Sequence, residues 1–426
     1  MRNTRRAALC VLLVASITTA SAASPPGRVK DATVALPELH QRARILRDVD
    51  GMPHIYAYDE HDAVFLQGWV TAQDRLFQID VLRRQASGTL AELLGVGPGN
   101  AVLRSDVELR TIGLRRAAER SMTAYSPTML AALEAYAAGV NAYVQRHPLP
   151  AQYAALELTK FEPWTALDSA LIGKALAFQL SFDLDISATT NFQAYSTVLG
   201  PALGQAMFFG DVFRSAPFDP AASVPDATGG APFLGVFKAS AAAAKAGPGA
   251  SKPAAARSAA SSSAGAGVAT SPLDASALRA LEALRKRYES VPFLRNTLSR
   301  TEKQIGSNEW AVAGRLTRDG RPLIANDPHL SLDLPPNFHQ VHLVTKKDGL
   351  DAIGSAVAGA PFVVLGQNRR VTWGETTTGF DVTDTYLEQL VPDASSPSGL
   401  SSLYLGQLEH VIPVPLTLRA NLRDGL

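Results

Sequence analysis

One stretch constrains this chain more than any other. Between Ala239 and Pro272 lie 34 residues, of which 15 are Ala, 7 Ser, 4 Gly and 3 Pro, with Val268 the only larger aliphatic side chain. Such a segment cannot bury enough apolar area to offset the entropy of ordering it. It predicts a flexible spacer, so the fold must be built from its two flanks. Upstream the apolar period is helical, and downstream it is that of strands, which predicts an α+β architecture.

The N-terminus reads as an export signal. Arg2, Arg5 and Arg6 precede an apolar run of 11 residues, Ala7 to Ile17, and Ala20-Ser21-Ala22 supplies a small-x-small cleavage pattern. The run is too short to span a bilayer as a helix, so residues 1–22 are expected to be removed and the protein to be periplasmic or secreted. Cys10 is the only cysteine, which excludes a disulfide framework. Lys+Arg number 40 against Asp+Glu 39, so no basic field for nucleic acid exists. No other run reaches the length of a membrane span.

From about Pro37 to Pro217, a short hairpin turning at Asp50-Gly51 comes first. Ala63, Val64, Trp69, Val70, Leu76, Phe77, Ile79 and Leu82 then recur at helical steps. Further helices are predicted at 115–122, 127–146, 167–181 and 187–199, with Pro127 in a favoured first-turn place. After the spacer, Leu273 to Ile305 reads as helical. From Gly306 the pattern becomes that of strands, with runs at 339–345, 351–357, 361–365, 370–376 and 384–390.

The geometry after Gly306 matters for chemistry. A turn centred between Asp319 and Gly320 would pair residues whose numbers sum to about 639, setting Trp310 opposite His329 and Ser307 opposite Leu332. His329 would return to within a few residues of Ser307. The Gly306-Ser307 step, at a strand start after a disposable linker, reads as a cut site. Cutting it would give Ser307 a free α-amine beside its own hydroxyl. A serine hydroxyl needs an adjacent base, and an α-amine with a pKa of roughly 7.7–8.0 is one near neutral pH. Nucleophile and base would then sit on one residue.

These residues resemble the penicillin acylase (penicillin amidase) family of N-terminal nucleophile hydrolases. Carrying the likeness are Arg47-Asp48 through Gly51-Met52-Pro53-His54-Ile55-Tyr56, Ala72-Gln73-Asp74-Arg75-Leu76-Phe77-Gln78, Gly88-Thr89-Leu90-Ala91-Glu92, Gly306-Ser307-Asn308-Glu309-Trp310, Asn326-Asp327-Pro328-His329, Trp373-Gly374 and Asp381 to Asp384. The resemblance implies a four-layer αββα core. It implies a signal peptide (1–22), a mostly helical small chain (23–238), a spacer propeptide (239–306) and the start of a mostly stranded large chain (307–426), the two chains associating as a heterodimer. Ser307 would be nucleophile and base, Gly306 the residue before the autoproteolytic cut, His329 a partner of the α-amine, and Thr377 the source of an oxyanion-hole N–H. Asp381, the Thr383 carbonyl and Asp384, with Asp185, resemble part of a structural calcium site. The substrate would be a small-molecule amide of the β-lactam or N-acyl-homoserine lactone type, with no organic cofactor. The family's large chain continues far past its serine and carries a second oxyanion donor, an Asn. This chain stops at Leu426, so the resemblance implies a C-terminally truncated member, or alternatively a fragment with no catalysis of its own.

Other readings stand beside these. His339 and His342 invite a zinc site, but in a strand their spacing puts them on opposite faces. His54 reads as structural, and Asp74 and Arg75 as an ion pair rather than chemistry. Phe178, Leu180 and Phe182 line an acyl pocket or belong to the core, and core is favoured for at least two of them.

Overall fold

The computed structural model describes residues 33–181, 184–214, 275–291, 293–294, 306–330, 333–376 and 385–422. These form two compact units, one from the described parts of residues 1–182, 288–380 and 413–426, the other from those of 183–287 and 381–412.

The first unit opens with strands β1 (Arg44–Arg47) and β2 (Pro53–Ala57), paired antiparallel from Arg44 opposite Tyr56 to Arg47 opposite Pro53. The turn is a loop of residues 48–52 rather than a tight Asp-Gly turn. Asp48 Oδ1 accepts the Asp50 and Met52 N–H groups at 3.0 and 2.9 Å, and Gly51 takes φ 83°. Helix α1 (Glu60–Ser87) follows, its N-cap Asp59 accepting from the Asp62 N–H, and Gly88 closes it in the left-handed conformation.

Helix α1 is buried on two sides. Phe65, Leu66, Trp69 and Val70 pack with Ile55, Val341 and Leu343 of the sheet. Val64, Ala72, Leu76 and Ile79 pack with Tyr136 and Val140 of another helix, α4. Between them in sequence come α2 (Ala101–Ile112) and α3 (Leu114–Met122); α4 itself is Pro127–Arg146, capped by Ser126. Helix α5 (Ala166–Ser181) completes this layer. Helix α2 escapes a periodicity search because a polar residue anchors it: Asp106 is buried and accepts the Leu90 and Ala91 N–H groups at 2.9 and 2.7 Å.

Helices α1 and α4 touch backbone to backbone. A Cβ on Gly68 would lie 2.1 Å from the Tyr136 carbonyl oxygen, and one on Gly139 only 1.8 Å from that of Phe65. Alanine in an open helix gains roughly 1 kcal/mol over glycine. At this crossing the helices must part, and overpacking costs about 1–3 kcal/mol. Gly139→Ala is expected to destabilise the protein by that order in chemical denaturation; unchanged or raised stability contradicts the crossing.

The sheet of the first unit has six strands in the order β1-β2-β5-β6-β7-β8, with β5 (Phe338–Thr345), β6 (Asp351–Val357), β7 (Leu365–Asn368) and β8 (Thr372–Trp373). Strands β3 (Gly306–Val312) and β4 (Leu323–His329) form a separate two-stranded sheet. The β2–β5 pair is parallel, with His54 opposite His342, and unites segments from either side of the spacer. The strand expected at 361–365 is replaced by a loop. The buried Gln67 side chain takes the Phe362 N–H at 2.8 Å and donates to its carbonyl at 3.1 Å, occupying the groups a neighbouring strand would use. Of the stretch Leu273 to Ile305 read as helical, α8 (Ala275–Glu289), most of which belongs to the second unit, is a helix, and residues 295–305 lie outside the described residues. In the first unit Val291, Phe293 and Leu294 pack with Leu109, Leu114 and Leu171.

In the second unit α6 (Leu184–Leu199) and α7 (Pro201–Arg214) meet through Phe192 and Phe208, with ring centroids 5.5 Å apart. Strands β9 (Leu390–Pro392), β10 (Leu400–Tyr404) and β11 (Gln407–His410) make a three-stranded sheet. The protein is thus a mixed helix-and-sheet fold. Among the described residues one helical layer covers the six-stranded sheet; the four-layer order goes beyond them. No described helix is long and apolar enough to cross a membrane.

Candidate active site

Strands β3 and β4 pair in a register that corrects the sequence expectation. Gly306 lies opposite His329, Ser307 opposite Pro328, Asn308 opposite Asp327 and Glu309 opposite Asn326. The ladder is offset by four positions from the expected one because the connection is not a tight Asp-Gly turn. Gly314–Leu316 forms a turn of 3-10 helix, and Thr317 Oγ1 donates to the carbonyls of Gly314 and Arg321 at 2.8 and 2.7 Å. An even offset leaves every side chain on its expected face while carrying His329 to the end of the ladder, beside the Gly306–Ser307 peptide.

Cross-strand partners share a face and successive residues alternate. Ser307 therefore shares its face with Pro328, while Asn308, Asp327 and His329 share the other. His329 Nε2 lies 3.3 Å from Asn308 Nδ2 and 3.3 Å from Asp327 Oδ2. The ring is held on the side away from the serine hydroxyl, next to the peptide whose nitrogen would become the α-amine.

Two positioning residues were not singled out from the sequence. Asn326 Nδ2 donates to the Asn308 carbonyl at 3.3 Å and to the Glu375 carbonyl at 3.1 Å, while its Oδ1 accepts the Glu375 N–H at 3.3 Å. The amide acts as a piece of backbone joining the serine's strand to the segment that runs toward Thr377. Gly374 permits this approach, since a Cβ there would lie 2.7 Å from the Asn326 Cβ. Both residues sit inside motifs that the family resemblance uses, which was the available signal.

A cavity of about 220 Å³ opens beyond His329. Leu330, the next residue, lines it with Leu82 of α1, Ile172, Leu176 and Leu180 of α5, Phe293 and Phe338, and with polar Gln179 and Asp333. Of the three side chains weighed for an acyl pocket, Leu180 lines this cavity, Phe178 packs on the core around Leu109 and Leu171, and Phe182 lies outside the described residues. Thr377, Asp381, Thr383 and Asp384 also lie outside them; Asp185 falls on α6, but its side chain is not among those described.

The remaining motif residues are structural. Arg47 grips Asp74 bidentately at 3.0 and 2.9 Å, and His339 Nε2 lies 3.0 Å from Asp74 Oδ2. Burial alone would push the Asp74 carboxyl up, but the His339 and Arg47 hydrogen bonds more than offset it and hold the group below the usual carboxylate range. This network ties β1, α1 and β5 together. His342 faces the other way, toward His54 and Asp351 at 2.9 and 3.0 Å, so the two histidines do not share a metal.

The family model for penicillin amidase matches residues 42–414. The chain belongs to the penicillin amidase family. It is 30% identical over 374 residues to penicillin acylase 2 proenzyme of Pseudomonas sp. (strain SE83), covering 87% of this chain and 40% of that protein. It is 32% identical over 354 residues to acyl-homoserine lactone acylase QuiP of Pseudomonas aeruginosa, covering 83% of this chain and 35% of that one. Among solved structures it is similar to a thermostable penicillin G acylase from Alcaligenes faecalis, at 31% identity and a TM-score of 0.36, over 43% of this chain and 96% of that chain. The chain thus spans well under half the length of the two curated relatives.

Proposed function

We propose that this penicillin amidase family member is an autoprocessed amidohydrolase that works through an acyl-enzyme on Ser307. The observation that carries the reading is the β3–β4 register, with Ser307 at a strand start and His329 opposite Gly306. In processing, the Ser307 hydroxyl attacks the Gly306 carbonyl carbon, the peptide C–N bond breaks and an ester forms. Water then hydrolyses the ester, leaving a Gly306 carboxylate and a free Ser307 α-amine. In turnover that amine takes the hydroxyl proton, Oγ attacks the substrate carbonyl, and the amine product leaves with a proton. Water releases the acid and regenerates the serine. His329 orients the α-amine from the face opposite the hydroxyl.

The cavity lined by Leu330 holds the acyl group. At about 220 Å³ it falls below the ~300–1,000 Å³ of drug-sized ligand sites, which favours a compact acyl group such as phenylacetyl over a long alkyl chain. Phenylmethylsulfonyl fluoride is expected to add its sulfonyl group to the peptide beginning at Ser307, and prior phenylacetic acid to slow that labelling. Labelling elsewhere, or amide hydrolysis persisting in Ser307→Ala, contradicts the reading. Leu330→Trp is expected to lower kcat/KM for phenylacetyl amides at least tenfold and, because the reagent's benzyl group uses the same cavity, to slow Ser307 labelling as well, while the cut before Ser307 persists; unchanged kcat/KM removes the cavity from the account.

A further inference from the structure

We propose that His40, Asp59, His61 and Asp62 form a zinc site that clamps the segment ahead of β1 to the first turn of α1. The site is distinct from Ser307 and does not rest on the amidohydrolase reading. Four potential ligand atoms, one from each residue, lie within 4.8 Å of one another. His40 Nδ1 is 2.9 Å from Asp59 Oδ2 and 4.0 Å from Asp62 Oδ1, and His61 Nδ1 is 3.1 Å from Asp62 Oδ1. A tetrahedron with bonds of ~2.0–2.1 Å has edges of roughly 3.3–3.4 Å; two of these separations are slightly shorter and one longer, and zinc would draw in four atoms that now lie within 4.8 Å of one another. His40 Nδ1 and His61 Nδ1 each face a carboxylate; the two imidazoles stack with centroids 4.2 Å apart and an interplanar angle of 15°, so one ring turns about its Cβ–Cγ bond for both in-plane lone pairs to reach one ion.

The donor set decides the class of ion. Two imidazole nitrogens with two carboxylate oxygens suit zinc, whereas calcium and magnesium take oxygen. The two carboxylates neutralise a divalent charge, and both are buried while His40 stays open to solvent, giving an entry path. The surroundings hold the carboxylates rigidly. Asp59 Oδ1 accepts the Asp62 N–H at 3.1 Å, and Asp62 accepts the N–H groups of His40 and Gln41 at 2.8 and 3.0 Å. The first amide of α1, that of Glu60, is taken by Asp348 at 2.7 Å, so the helix end does not claim the oxygens that face the histidines. Lys347, whose N–H donates to the Tyr58 carbonyl, is the nearby cation that a bound ion would face. The clamped segment carries Leu36 and Leu39, which pack on the core between α1 and the sheet.

The test uses the full chain without an affinity tag, stripped with EDTA and titrated with zinc chloride by calorimetry. The tightest equivalent is expected to bind with sub-micromolar Kd, to survive 1 mM calcium, and to be lost or weakened at least 100-fold in His40→Gln. Cobalt at the same site is expected to give the intense visible bands of tetrahedral coordination, absent in His40→Gln. His40 has a side chain 57% exposed, so this variant keeps its fold, which circular dichroism checks. Zinc binding and cobalt spectra unchanged in His40→Gln, displacement by calcium, or no tight equivalent in the wild type each overturn the proposal.

Discussion

Ser307→Ala is expected to remain a single uncut polypeptide and to lose amide hydrolysis by at least about 10⁴-fold, the scale seen when a nucleophile is removed from such a unit. Ser307 is the second residue of a strand whose partner ends at His329, and the ladder pairs Gly306 with His329. The hydroxyl has to act twice, first on its own preceding carbonyl and then on substrate, so one substitution should abolish both the cut and turnover. Ser307→Cys keeps a nucleophile and is expected to retain the cut while changing turnover. Gel mobility and hydrolysis of a phenylacetyl anilide read the two effects separately. A Ser307→Ala protein that is still cut at residue 306, or still hydrolyses the anilide, contradicts the assignment.

The second large effect lies in the core rather than the site. Asp80 is fully buried and accepts from Arg83 Nε at 2.8 Å, Arg84 Nε at 3.0 Å and the Tyr153 hydroxyl at 2.8 Å. Arg83 also donates to the carbonyls of Glu162 and Pro163 at 2.6 and 3.2 Å, and its guanidinium lies 4.5 and 5.1 Å from the Phe161 and Trp164 rings. Burial, reinforced by the Asp80 charge, pushes the Tyr153 hydroxyl well above its ordinary range, so it stays a donor. Arg83→Met fills the same volume but strips the carboxylate of its main partner and leaves two carbonyls unpaired. Breaking a buried pair from one side costs about 3–5 kcal/mol, or roughly 6–20 °C in Tm for a unit of this size. Arg84 still faces the carboxylate in this variant, so the cost is expected toward the lower end of that range. A fall under 1 kcal/mol in chemical denaturation for the single variant contradicts this account of the network.

Much of the helical framework was legible because its period repeats over many residues. Pro127–Arg146 and Leu114–Met122 fall where apolar steps of three and four put them. The failures have local physical causes. Helix Ala101–Ile112 is fastened by a buried aspartate, which a hydrophobic pattern does not register. The 361–365 run is apolar enough for a strand, yet Gln67 of a distant helix takes its backbone groups. In the hairpin, the even spacing of faces was legible but the offset was not, because Gly314–Leu316 coils before the chain reverses. That His329 returns to within a few residues of Ser307 could be reasoned from the sequence, though not the register that sets it opposite Gly306; the Asn326 bridge to Glu375 needed the fold, since nothing in a single chain says which backbone an asparagine will mimic. The His40–Asp62 cluster was missed for the same reason: its members lie in two segments whose proximity depends on how the chain docks before β1.

The central claim is that Ser307 becomes a chain end whose own nitrogen serves as its base. Intact-mass measurement with N-terminal sequencing, on folded protein expressed from the complete reading frame, tests this most directly. The account predicts a polypeptide whose first residue is Ser307, present in every sample that hydrolyses amides. A single uncut polypeptide spanning the Gly306–Ser307 bond and carrying full amidase activity contradicts it.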